Sequence, residues 1–158
     1  MTSQTLRPED ITAHLQTIPH GKALGLRFHD IGDDGNGFIE ILLPYDTKLV
    51  GDPDTGVIHG GAITALLDNA SGFVVRPPDF DRATTAIATL DLRIDYMGPA
   101  TPGRDVIARA NCFKRTRSIA FVRALAFHDS PDDPIATCTA TFMIGTPNTG
   151  RPVGGVNQ

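Results

Sequence analysis

The sequence lacks the surplus of basic residues that binding to duplex nucleic acid requires. Lysine and arginine number 14 against 18 acidic residues, for a formal charge of −4 and a pI ≈ 5.6, which excludes a surface that works by neutralising phosphates. Tryptophan is absent and there are only two cysteines, Cys112 and Cys138. Neither stands at metal-ligand spacing from the other or from a histidine pair, so zinc and redox motifs are excluded and both are expected as buried, reduced thiols. An apolar leader is missing too: MTSQTLRPED is polar and no lipidation motif is present, so the expected address is the cytoplasm. The most apolar stretch, Val57 to Val75, is 19 residues long but is interrupted by His59, Asp68 and Asn69. It reads as a buried helix and not as a membrane span. Internal repeats are absent.

What remains is 158 residues, 41% hydrophobic and 20% charged, a composition for one globular domain. Ile11, Leu15 and Ile18 recur at helical spacing behind Pro8, Glu9 and Asp10, predicting a short helix over Pro8–Thr17. IGDDGNG reads as a turn between a ragged strand and a strand over Gly37–Leu43, and Pro44–Gly56 as a polar loop. In VIHGGAITALLDNASGFVV, residues Ile63, Leu66, Leu67, Ala70, Phe73 and Val74 form the stripe of one long internal helix, ended by Pro77 and Pro78. From Thr84 to Met97 the chain alternates with period two, which assigns Leu90, Leu92, Ile94 and Tyr96 to a core face and Asp91, Arg93 and Asp95 to a polar one. Strands follow over Val106–Phe113, Ile119–His128 and Ile135–Ile144, joined by the turns KRTRS and DSPDDP. Ala120, Val122, Ala124 and Ala126 make a face of small side chains that another element can approach closely.

These elements add up to an α+β domain over residues 1–146, in which a curved antiparallel sheet of five to six strands covers one central helix, with a short N-terminal helix besides. The tail over 147–158 is expected to be poorly ordered. A single sheet leaves edges and an outer face uncovered, and pairing with further copies of the chain removes both.

Asp68 lies within the most apolar helix, where an unpaired carboxylate is costly. Its neighbours at helical spacing are Thr64, Ala65, Ser71 and Gly72, a small and weakly polar face. Two readings stand: a helix aspartate bonded to a nearby hydroxyl or arginine, or a carboxylate facing a reactant. At the helix start, Gly60 and Gly61 follow His59 and leave backbone N–H groups without side-chain cover, where the helix dipole favours negative charge. That is an oxyanion site in outline, or a sharp turn fixed by His59. Gly60 and Asp68 are eight residues apart, about 12 Å along one helix axis. If both serve one reaction, the aspartate comes from a second copy whose helix runs antiparallel about a two-fold axis.

VIHGGAITALLDNASG, with ATLDLRIDYMGPA further along, resembles the hotdog-fold acyl-CoA thioesterases of the PaaI type, over roughly Leu24 to Ile144. The resemblance implies a long helix wrapped by an antiparallel sheet, assembled as dimers and often as pairs of dimers. It implies that Gly60 polarises a thioester carbonyl, with His59 shaping the turn. Asp68 would act from the partner subunit as nucleophile or as base for water, and Thr89 would orient that chemistry. Gly61 and Asn69 are neighbouring candidates for substrate contact. The implied reaction is hydrolysis of a short-chain, medium-chain or aromatic acyl-CoA, with no metal or other cofactor, coenzyme A being part of the substrate.

One position departs from the family. An asparagine commonly stands six residues before the histidine, and here Pro53 stands there between Asp52 and Asp54. This keeps open a second class of function, a non-catalytic protein that binds acyl-CoA or an acyl carrier. A hotdog dehydratase or hydratase fits less well, because Asp68 has no second histidine beside it on the helix. For the phosphates of CoA the candidates are Lys114, Arg115 and Arg117 in KRTRS, a segment that reads equally as a solvated turn. Arg76, Arg82 and Arg104 lie at other element ends.

Overall fold

The computed structural model describes residues 8–35, 37–76 and 85–147. Pro77, Pro78, Arg82 and residues 148–158 of the expected tail lie outside them. Helix α1 (Pro8–Thr17) forms as its spacing predicts, with Ile11 and Leu15 buried. A second short helix, α2 (Pro19–Leu24), departs from expectation. Pro19 opens it, and Gly25 closes it at φ 72°, donating its N–H to Lys22 O. Both punctuation residues stand in the sequence, but six residues are too few to show a periodic stripe.

Strands β1 (Arg27–Gly32) and β2 (Phe38–Leu43) form the first hairpin. The loop expected over Pro44–Gly56 also holds a 3-10 turn and a strand, β3 (Val50–Asp52), which pairs with β4 (Val57–Ile58) just before the long helix. That helix, α3, spans Gly60–Val74. Strands β5 (Thr85–Tyr96), β6 (Val106–Arg115), β7 (Ile119–Phe127) and β8 (Ala136–Pro147) complete the chain. The last strand therefore takes in Pro147, where the tail was expected to begin. Six strands form one antiparallel sheet in the order β1-β2-β6-β7-β8-β5, with β1 and β5 at its edges.

Helix α3 buries Ala62, Ile63, Leu66, Leu67, Ala70 and Phe73. The sheet's buried face is built largely of alanine: Ala108 and Ala110 on β6, Ala120, Ala124 and Ala126 on β7, Ala136 and Ala140 on β8. Small residues on the sheet let the large side chains of the helix fill the space between them. Leu66 and Leu67 are fully enclosed, and each contributes roughly 1.5–3 kcal/mol by leaving water.

Strand β5 corrects the sequence reading at Leu90. Thr89 pairs with Phe142 and Asp91 with Thr141 on β8, so Leu90 is an extra residue in a β-bulge. Leu90 is 53% exposed instead of lying in the core. The bulge also shifts the phase of the strand by one residue. Ile87 on one side of it and Leu92 and Ile94 on the other all pack on the core, which uninterrupted alternation forbids.

Ala124→Leu is expected to overfill the space under α3 and to lower stability by about 1–3 kcal/mol, measured by urea unfolding. An unchanged midpoint would show that the helix does not depend on the small face.

Candidate active site

The start of α3 is placed by the β3–β4 hairpin. His59 N donates to Leu49 O at 2.8 Å, and Gly51 lies so close that a Cβ there would stand 2.9 Å from the His59 Cα. His59 is the N-cap of α3, its Nδ1 accepting from Gly61 N at 2.9 Å. In the neutral ring this assigns the proton to Nε2. A side chain on Gly61 would meet Nδ1 at 2.9 Å, so glycine is required for the cap to form. Ala62 N is taken up by His59 O at 2.9 Å. Among the described residues the Gly60 N–H has no acceptor, and it points out of the positive end of the helix dipole. The two glycines thus differ: Gly61 N–H is occupied by the cap, and Gly60 N–H is the open donor.

In the middle of α3, Asp68 is half-buried. Thr89 Oγ1 donates to Asp68 Oδ1 at 3.0 Å within the same chain, a contact made possible by the bulge at Leu90. Of the two readings of Asp68, the hydroxyl partner is therefore real, and it occupies one carboxylate oxygen only. Asn69 turns back on its own helix and donates to Ala65 O at 2.8 Å. On β8, the buried Cys138 lies near Asp68 and Ser71. Burial pushes its thiol up to about 11, the charge of Asp68 adds to this and the Ser71 hydroxyl opposes it. Such a thiol stays protonated and is no nucleophile at neutral pH.

A third group had no role in the sequence reading. Tyr96 Oη donates to Gly60 O at 2.6 Å and stands 2.9 Å from Thr64 Oγ1. The signal for it was its place in register with Leu92 and Ile94, which puts the ring on the helix-facing side of β5.

The turn that carries Pro53 is closed by Asp52, whose Oδ1 accepts from Asp54 N at 3.0 Å and whose Oδ2 accepts from Thr55 Oγ1 at 2.8 Å. Both oxygens of Asp52 thus hold the turn that carries Pro53. In the KRTRS segment, Arg115 donates to Val75 O at 2.7 Å and so holds the carboxyl end of α3, while Lys114 and Arg117 are exposed. The segment lies about 22 Å from Gly60 along the helix, and about 10 Å beyond Asp68. Of the other arginines, Arg76 stacks on Phe73 at 4.3 Å, and burial lowers its guanidinium to about 10. Arg104 pairs with Asp129. Among the described residues, no three His, Cys, Asp or Glu side chains are grouped as metal ligands would be.

Residues 55–135, from the β3–β4 turn through α3 to the start of β8, match the family model of the thioesterase superfamily. The chain belongs to the thioesterase superfamily. Its fold is the hotdog fold of that family, and the chain is a thioester hydrolase by descent. A solved structure from Pseudomonas aeruginosa superposes with a TM-score of 0.72 at 38% identity, covering 86% of this chain and 97% of that one. A mutant of the phenylacetic acid degradation protein PaaI from Thermus thermophilus superposes with a TM-score of 0.65 at 25% identity, covering 79% and 97%. The medium/long-chain acyl-CoA thioesterase YigI of Escherichia coli is 25% identical over 139 residues, 81% of this chain and 86% of its own length.

The cap separates His59→Ala from His59→Asn in this thioesterase. Loss of the N-cap in His59→Ala should cost about 0.5–2 kcal/mol in urea unfolding, and Asn, itself a strong N-cap, should restore most of it. Equal losses in both variants would mean that the imidazole does something other than cap the turn.

Proposed function

We propose that the protein hydrolyses acyl-CoA thioesters with short-chain, medium-chain or aromatic acyl groups, releasing the acid and coenzyme A. The observation that carries this reading is the open Gly60 N–H at the capped start of α3. The thioester oxygen docks on that N–H, where the helix dipole favours the charge that develops as the carbonyl becomes tetrahedral. Asp68 acts on the carbonyl as base for an attacking water or as the nucleophile itself. Thr89 holds Oδ1 and leaves Oδ2 for that task. The sulfur of CoA departs as the tetrahedral intermediate collapses and takes up the proton drawn from the water; where Asp68 is the nucleophile, that water attacks the acyl-aspartyl anhydride in a second step and frees the acid. The family and the name of YigI, a medium/long-chain acyl-CoA thioesterase, support the acyl-CoA class.

About 12 Å of helix separates Gly60 from Asp68, so the carboxylate at each Gly60 belongs to a second copy. A homodimer supplies it. Strand β5 supports this assembly: it is a long edge strand with Leu90 53% and Tyr96 49% exposed, followed at once by Met97 at 65%, a liability that pairing between copies removes. The outer sheet face, with Phe113 exposed and its ring tilted against that of Phe121, suits pairing of two dimers. In an antiparallel dimer, the KRTRS segment near a partner's Asp68 lies about 10 Å beyond it. Lys114, Arg115 and Arg117 then contact the CoA phosphates from the subunit that provides the carboxylate. Two free cysteines, one of them buried, support a reducing, cytoplasmic setting.

Asp68→Asn should lower thiol release across an acyl-CoA panel by at least about 100-fold, with the protein still folded. Equal rates in wild type and variant would overturn the assignment. Pro53, which offers no side-chain hydrogen bond where the family commonly has asparagine, favours one other reading, a binding protein without turnover. Saturable acyl-CoA binding with no thiol release from any member of the panel would select it.

A further inference from the structure

Two successive glycines are the least restrained residues with which a helix can begin, since neither has a Cβ to limit its dihedrals. The peptide plane between Gly60 and Gly61 is nevertheless held at both ends. Its N–H, on Gly61, donates to His59 Nδ1 at 2.9 Å. Its carbonyl, Gly60 O, accepts from Tyr96 Oη at 2.6 Å and lies 3.1 Å from Thr64 Oγ1. The preceding plane carries the open Gly60 N–H, and its carbonyl accepts from Ala62 N at 2.9 Å. The direction of the open N–H therefore depends on two pinned planes that meet at the Gly60 Cα.

Of the groups that pin them, Tyr96 alone reaches over from the sheet. Within the single chain its hydroxyl is not forced into this bond by burial, since the residue is 49% exposed. The ring also closes over Gly60, where a Cβ would stand 3.3 Å from Oη and 3.4 Å from Cζ. Donation to Gly60 O polarises the whole peptide group and so strengthens the bond that Gly61 N–H makes to His59.

We propose that Tyr96 is a positioning residue of the thioesterase site, fixing the Gly60–Gly61 peptide so that the Gly60 N–H is aimed at the thioester oxygen before substrate arrives. The effect on rate rests on the hydrolase reading above, and the effect on the peptide does not. Tyr96→Phe removes one oxygen atom and keeps the ring. It should lower kcat for acyl-CoA by about tenfold and leave KM within about twofold, the split expected when a transition-state donor loses its aim. Amide hydrogen exchange on the same variant should show Gly61 N–H exchanging about tenfold faster, while the amides of β7 keep their protection. An unchanged kcat in an active enzyme overturns the proposal, as does a loss of kcat matched by equal loss of protection throughout β7. If wild type releases no thiol from any acyl-CoA, the hydrolase reading fails. Gly61 exchange then judges the positioning role alone, with an unchanged rate in Tyr96→Phe counting against it.

Discussion

The bulge at Leu90 allows a single strand to hold α3 in two places. Without the extra residue, period two would put Thr89 on the face opposite Leu92, Ile94 and Tyr96. With it, β5 donates a Thr89 hydroxyl to Asp68 and a Tyr96 hydroxyl to Gly60 O. One hydrogen bond fixes the carboxylate and the other fixes the glycine turn. Both hydrogen bonds are therefore referenced to the same strand, which lies at an edge of the sheet. In the proposed dimer, pairing at that edge would order both of these contacts together.

The cap at the helix start divides the exposed donors. His59 takes up the Gly61 N–H through Nδ1, Ala62 bonds back to His59 O, and one N–H is left facing outward. A single open donor at the positive end of a helix is selective for one developing charge, where several would bind any anion. The close approach of Gly51 to His59 explains why the segment before the helix is a tight hairpin and not the open loop that its polarity suggests. The acidity of the chain, 18 acidic residues to 14 basic, is no obstacle to a CoA substrate. The cations of KRTRS gather at one end of α3, where Arg115 also satisfies a terminal carbonyl.

Most of this architecture is legible in the residues. Long periodic segments announce themselves, so α3 and strands β6 to β8 lie where their patterns put them, and the alanine face of β7 reveals the close approach of the helix. The parts that escape the pattern are those too short to show one, α2 and the β3–β4 hairpin, and the bulge. A bulge depends on pairing with β8, which no local alternation records. Thr89 illustrates the cost: the period assigns it to the polar face, and only the family resemblance brings it to Asp68. Tyr96 is the converse case. Its face is readable, but its bond to Gly60 depends on where the strand crosses the helix.

The central claim is that Gly60 of one subunit works with Asp68 of another. Two variants that each lack one group, Gly60→Pro, which removes the open N–H at a first helical position that accepts proline, and Asp68→Asn, can be mixed after co-expression or refolding to form hybrid dimers. Each hybrid contains one site with both groups intact and one with neither. If the site is shared, an equal mixture should recover roughly a quarter of wild-type thiol release from acyl-CoA, because half the dimers are hybrids and half their sites are whole. A mixture as inactive as its separate components would contradict the shared site and return both groups to a single chain.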